Sequence, residues 1–156
     1  MRQRLTMRRR LLLAAVILGL VPVTASGPMA APYAKPDVRR AVLDAARAPV
    51  EKELNQPVRF VVEQLGQAAG WAFLRARMVT PNGRPISYAG TRFAEAAANG
   101  GKSTSYAALL RRDSGTWNVT TYAIGPTDLA WHDWQTRYRA PKAIFEAPET
   151  EGLTAE

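Results

Sequence analysis

His132 is the only histidine in the 156-residue chain, so any imidazole chemistry rests on it. Asp128 stands four residues earlier, on the same face if the segment is helical, where a carboxylate orients the ring. The pair is half of an acid–base arrangement. It can pass a proton, but the chain has no cysteine and no nearby serine placed to complete a nucleophilic set. Asp133 faces about 100° away and is better set to pair with Arg137 at i, i+4. One histidine among scattered carboxylates offers no metal-ligand spacing, so no metal is expected.

Gly100-Gly101-Lys102-Ser103-Thr104 imitates the end of a phosphate-binding loop. The full pattern needs a glycine five residues before Gly101, and Ala96 stands there. The segment also follows an alanine run of helical character, where a phosphate loop follows a strand. It reads as a turn, and no cofactor is expected.

Recognition is the other chemistry on offer. Trp71, Trp117, Trp131 and Trp134, with Tyr106 and Tyr122, can line an apolar or sugar-like cleft, and Arg75 and Arg77 on one strand face can hold an anionic group. The competing use of the aromatics is core packing, because a chain without disulfides relies on large buried side chains. Asn118-Val119-Thr120 fits a glycosylation sequon but falls in a predicted strand.

These residues need elements to position them. Val38, Ala41, Val42, Ala45 and Ala46 recur at helical spacing behind Asp37, a candidate cap. Pro49 is expected to disturb or restart that helix. Four strand-like runs follow, Val58 to Leu65, Trp71 to Val79, Ser105 to Arg112 and Thr116 to Ile124, the last two joined through Asp113-Ser114-Gly115. Alternation along them predicts an antiparallel sheet covered on one side. Thr80 to Lys102 reads as an elaborated connection with a turn at Asn82-Gly83 and a short helix within Thr91 to Ala98. A closing helix is predicted from about Asp128 to Tyr138, with Trp131, Trp134 and Tyr138 on one face.

Ahead of this body stand Arg2, Arg4, Arg8, Arg9 and Arg10, an apolar run from Leu11 to Val23, and the small residues Val23-Thr24-Ala25. That order predicts a signal peptide over residues 1–25, hence a periplasmic or secreted protein that meets the membrane only transiently. The alternative is an uncleaved anchor, for which the run is short. The leader holds five of the 21 basic residues, leaving 16 against 13 acidic ones and a net charge of +3. Positive charge so reduced and so scattered argues against a nucleic-acid partner. Ser26 to Pro36 reads as a flexible Pro/Ala linker, residues 37–145 as one domain, and residues 146–156 as an acidic disordered tail.

Gly70-Trp71-Ala72-Phe73, the Leu109-Leu110-Arg111-Arg112 and Trp117-Asn118-Val119 hairpin, and Ile124-Gly125-Pro126-Thr127-Asp128-Leu129-Ala130-Trp131 resemble a group of small exported bacterial proteins without assigned activity. The resemblance implies an α+β fold, an N-terminal and a C-terminal helix with a four-stranded antiparallel sheet, cystatin-like or nuclear transport factor 2-like. It names no chemistry. The expected function is an exported, non-catalytic domain binding a protein or small ligand of the cell envelope. Trp71, Arg75, Arg77, Trp131 and Trp134 would be the contacts. The alternative is a small isomerase or hydrolase on the same scaffold, with Asp128 and His132 transferring protons.

Overall fold

The computed structural model describes residues 36–148 and 153–154; the predicted leader lies outside the described residues. Helix α1 spans Pro36–Leu54. A proline at the first position forfeits no intrahelical bond, and Asp37 sits in the first turn beside the positive end of the dipole. Pro49 does not interrupt the helix, contrary to expectation. Val42, Ala46, Val50 and Leu54 recur every four residues and are all at most 3% exposed. Burial on both sides of Pro49 thus offsets the hydrogen bond its missing N–H cannot make.

The sheet comprises β1 (Arg59–Ala68), β2 (Trp71–Val79), β3 (Ser105–Asp113), β4 (Thr116–Ile124) and the two-residue β5 (Leu153–Thr154). Its order is β4-β3-β2-β1-β5, and every neighbouring pair is antiparallel. With helices α2 (Ala94–Ala98) and α3 (Trp134–Tyr138), the architecture is α+β. Asp113 pairs with Thr116, and Ser114 and Gly115 between them both take positive φ, 47° and 88°. That is the two-residue hairpin turn whose twist suits the strands it joins. The connection from β2 to β3 is pinned by Gln56 Nε2 donating to the Ser87 carbonyl and Tyr88 hydroxyl donating to that of Ser103.

One face of the sheet meets α1. Phe60, Val62, Leu74, Ala76, Met78, Tyr106, Ala108 and Leu110 join Val42, Ala46 and Val50 in the main core. Phe60 stacks on Tyr106, whose hydroxyl donates to the Ala46 carbonyl. The expected one-sided cover is corrected by the opposite face. Phe73, Ala107 and Leu109 are fully buried there beneath Trp134, Ala140 and Ile144. Tyr106 to Leu110 is accordingly buried at five consecutive positions, the pattern of a strand covered on both faces.

The closing helix is also corrected. It begins at Trp134, and residues 129–134 form tight turns instead, with His132 N–H to the Leu129 carbonyl and Trp134 N–H to that of Trp131. These three-residue steps bring Trp131 and Trp134 both against Phe73, at 6.0 and 6.3 Å between ring centroids. Packing over the sheet outweighs helical propensity in so short a segment. Beyond it, a 3-10 turn over Lys142–Ile144 lies against β1. Gln64 Nε2 donates to the carbonyls of Phe145 and Ala147.

Burial raises the Tyr88 hydroxyl pKa to about 12. The stability tied to its protonated form is complete below the ordinary phenol value near 10 and is lost as pH rises through about 12. Melting temperature measured from pH 8 to 12 should fall most steeply above pH 10. Tyr88→Phe should start lower, for want of the bond to Ser103, and decline less steeply. Parallel curves would refute the assignment.

Candidate functional site

The predicted contact residues share one sheet face but not one function. Trp134 is 4% exposed and turns its edge to Phe73, so it belongs to the second core. Half-buried Trp71 pairs across the sheet with Arg111, whose guanidinium lies over the indole at 5.3 Å. Arg75 sits between Glu63, 3.4 Å from its Nε, and the ring of Trp131 at 5.9 Å. Charge and π-face are thus already engaged within the chain. Of the two uses open to these aromatics, the region between the sheet and the closing turns shows core packing, filled by Phe73, Leu109, Trp134 and Ile144. Arg77 alone of the five is exposed.

His132 and Asp128 are both exposed. The imidazole Nδ1 lies 3.1 Å from the Leu129 carbonyl, which orients the ring toward its own turn. Neither residue lines any of the three grooves described below. Among the described residues, no group of three potential ligands is gathered for a metal. The imitation phosphate loop leaves α2 and enters β3. Its Lys102 ammonium donates to the Ile124 carbonyl and lies 4.7 Å from the Phe93 ring centre, and Ser103 hydroxyl donates to the Pro126 carbonyl.

A groove of about 350 Å³ opens where Arg77 stands. β1 and β2 pair so that Arg59 faces Val79 and Val61 faces Arg77, which sets Arg59 and Arg77 diagonally on the outer face. Val61, Val79, Gly83 and Thr104 complete its useful walls. Arg59 is held by Nη1 donating to the Pro81 carbonyl at 3.0 Å, which leaves the rest of its fork available. No carboxylate lines this groove. Among the described residues, neither arginine is in an ion pair. Arg59 was absent from the sequence reading, although strict alternation from buried Val58, Phe60 and Val62 assigns it to this face. The hairpin register was the missing piece.

A second groove, about 570 Å³, runs between α1 and the edge strand β4, lined by Ala45, Ala48, Pro49 and the run Trp117–Tyr122. It carries no charged side chain, and the β3–β4 register shifts near Leu109 and Leu110. Such an irregularity blunts an exposed edge. Asn118 of the sequon is exposed on this strand. A third, about 480 Å³, lies between α1 and the connection at Arg92. Two of its charges are paired with each other: Arg92 Nε meets Glu53 at 2.8 Å, and Tyr122 hydroxyl donates to the other Glu53 oxygen. Partial burial, then that bond, hold the Tyr122 hydroxyl pKa above its usual value.

Among the described residues no helix is long and apolar enough to cross a membrane. Neither a scan against protein-family models nor searches of curated proteins and of solved structures returned a match.

Proposed function

We propose that the chain is an exported, non-catalytic binding domain that takes a carboxylate-bearing, extended ligand on the arginine face of its sheet. The observation that carries this reading is the Arg59–Arg77 pair beside a groove without a carboxylate. Two guanidinium forks on one face suit planar anionic groups, and the adjoining strand offers backbone for an extended chain. The leader, with its arginines, apolar run and small residues, supports delivery of the domain to the periplasm or exterior. One helix laid over a four-stranded antiparallel meander also supports a cystatin-like layout over a nuclear transport factor 2-like one, which would keep a cavity where Phe73 and Trp134 pack. The proton-transfer alternative finds less support, because His132 and Asp128 are exposed and line none of the three grooves described.

Titration with octaglutamate at low salt tests the reading. Arg77→Glu should weaken binding about tenfold or more, equivalent to about 1.4 kcal/mol. Raising salt should weaken binding to the parent chain, as screening demands. His132→Ala should leave the affinity unchanged. Equal affinity of the Arg77→Glu variant and the parent would overturn the proposal.

A further inference from the structure

The two arginines of the cationic face stand in a fixed relation. Arg59 lies opposite Val79 and Arg77 opposite Val61, so the arginines occupy one diagonal of a four-residue square and the valines the other. Diagonal positions on an antiparallel pair lie about 7–8 Å apart. Two residues of an extended chain advance about 7 Å, and their side chains leave it on the same side, whereas adjacent ones leave it on opposite sides. The arginines are thus spaced like alternate residues of an extended peptide.

Neighbouring groups limit the match to two charges. One step along the strands, Arg75 already has the Glu63 carboxylate 3.4 Å from its Nε, so that pair offers no further attraction to an anion. On the other side, Arg59 is held through Nη1 by the Pro81 carbonyl. That carbonyl belongs to a closed turn, in which Gly83 N–H donates to the Thr80 carbonyl and Arg84 N–H to the Thr80 hydroxyl. The bond at Nη1 leaves the Nε–Nη2 edge, which takes a carboxylate through two parallel bonds. Val61 and Val79 line the groove between the arginines and give the stems of acidic side chains an apolar floor.

We infer that the arginine face selects an extended peptide with acidic residues at alternate positions, one carboxylate on Arg59 and the next but one on Arg77. The inference rests on the reading of that face as a binding surface and adds the spacing of its ligand. Charge complementarity selects an acidic occupant, since the groove holds two arginines and no carboxylate. The residue between the two acids points away from the sheet and is free to vary. Adjacent acidic residues bring only one carboxylate to the face at a time, and a spacing of four overshoots the pair.

The test compares two labelled octapeptides of equal charge, ESESESES and EESSEESS, by fluorescence anisotropy at low salt. Only the first carries glutamates two apart. The parent chain should bind it about tenfold more tightly, the scale of one charge-assisted contact kept or lost. Arg59→Ala and Arg77→Ala, each alone, should bind both peptides with one weaker affinity, since a single arginine cannot read spacing. Equal affinities of the parent for the two peptides, with Arg77→Glu still weakening octaglutamate binding, would overturn the inference and leave the binding surface standing. A preference that survives in both alanine variants would also overturn it, because the spacing would then be read elsewhere. Failure of octaglutamate and of both octapeptides to bind the parent would remove the binding surface itself, and this inference with it.

Discussion

Gly66→Ala is expected to lower the melting temperature by roughly 10 °C, from about 2 kcal/mol of overpacking in a domain of this size. Gly66 is buried in β1, and the 3-10 turn at Lys142–Ile144 lies directly on it. A methyl there would overlap the Ile144 carbonyl oxygen and come within 2.6 Å of its carbonyl carbon. The obstacle is backbone, which no rotamer change can clear. Either β1 bends or the turn lifts. Lifting the turn also strains the bonds from Gln64 to the Phe145 and Ala147 carbonyls, two residues along the strand. Circular dichroism melts of the two forms measure the loss, and a shift below 2 °C would contradict this account of the contact.

The strands were legible because their sequences obey alternation or bury whole runs. Trp71 to Val79 and Thr116 to Ile124 were delimited to the residue, since glycine, proline or a turn brackets each. What escaped depends on partners far along the chain. Pro49 reads locally as a breaker, and only the burial of Val50 and Leu54 against the sheet carries the helix past it. Trp131, Trp134 and Tyr138 read locally as a helix face. The need to seat two indoles on one phenyl ring makes the first part a series of turns.

The same division governs the candidate site. Arg77 was visible as an outward residue of an alternating strand. Arg59 lay one strand away, and its meeting with Arg77 required a register that shifts between Val62 and Gln64. The aromatic residues left two uses open for a different reason. Tryptophan signals a large burial without saying whether a ligand or the chain itself provides the other surface. Here Phe73, Leu109 and Ile144 provide it.

Phe73→Ala should therefore have the largest effect of any single substitution considered, a loss of about 3–5 kcal/mol. Phe73 is fully buried, and its ring contacts Trp131, Trp134 and Phe145, the last at 4.7 Å between centroids. Truncation removes the one side chain that all three share. The α1 side of the sheet is untouched by the change, because Phe73 points away from it and the main core is built from the alternate residues Ala72, Leu74, Ala76 and Met78. The variant should consequently lose its outer cover before its helix-packed core. Tryptophan fluorescence, to which Trp71, Trp131 and Trp134 report from the outer face and Trp117 from the main core, should begin to change ahead of the far-ultraviolet signal, where the parent gives coincident curves. Half-buried Trp131 tests the hierarchy: Trp131→Ala should cost clearly less than Phe73→Ala, since its ring already meets solvent on one side. If the two substitutions cost the same, or if Phe73→Ala costs under about 1 kcal/mol, the second core does not depend on this ring.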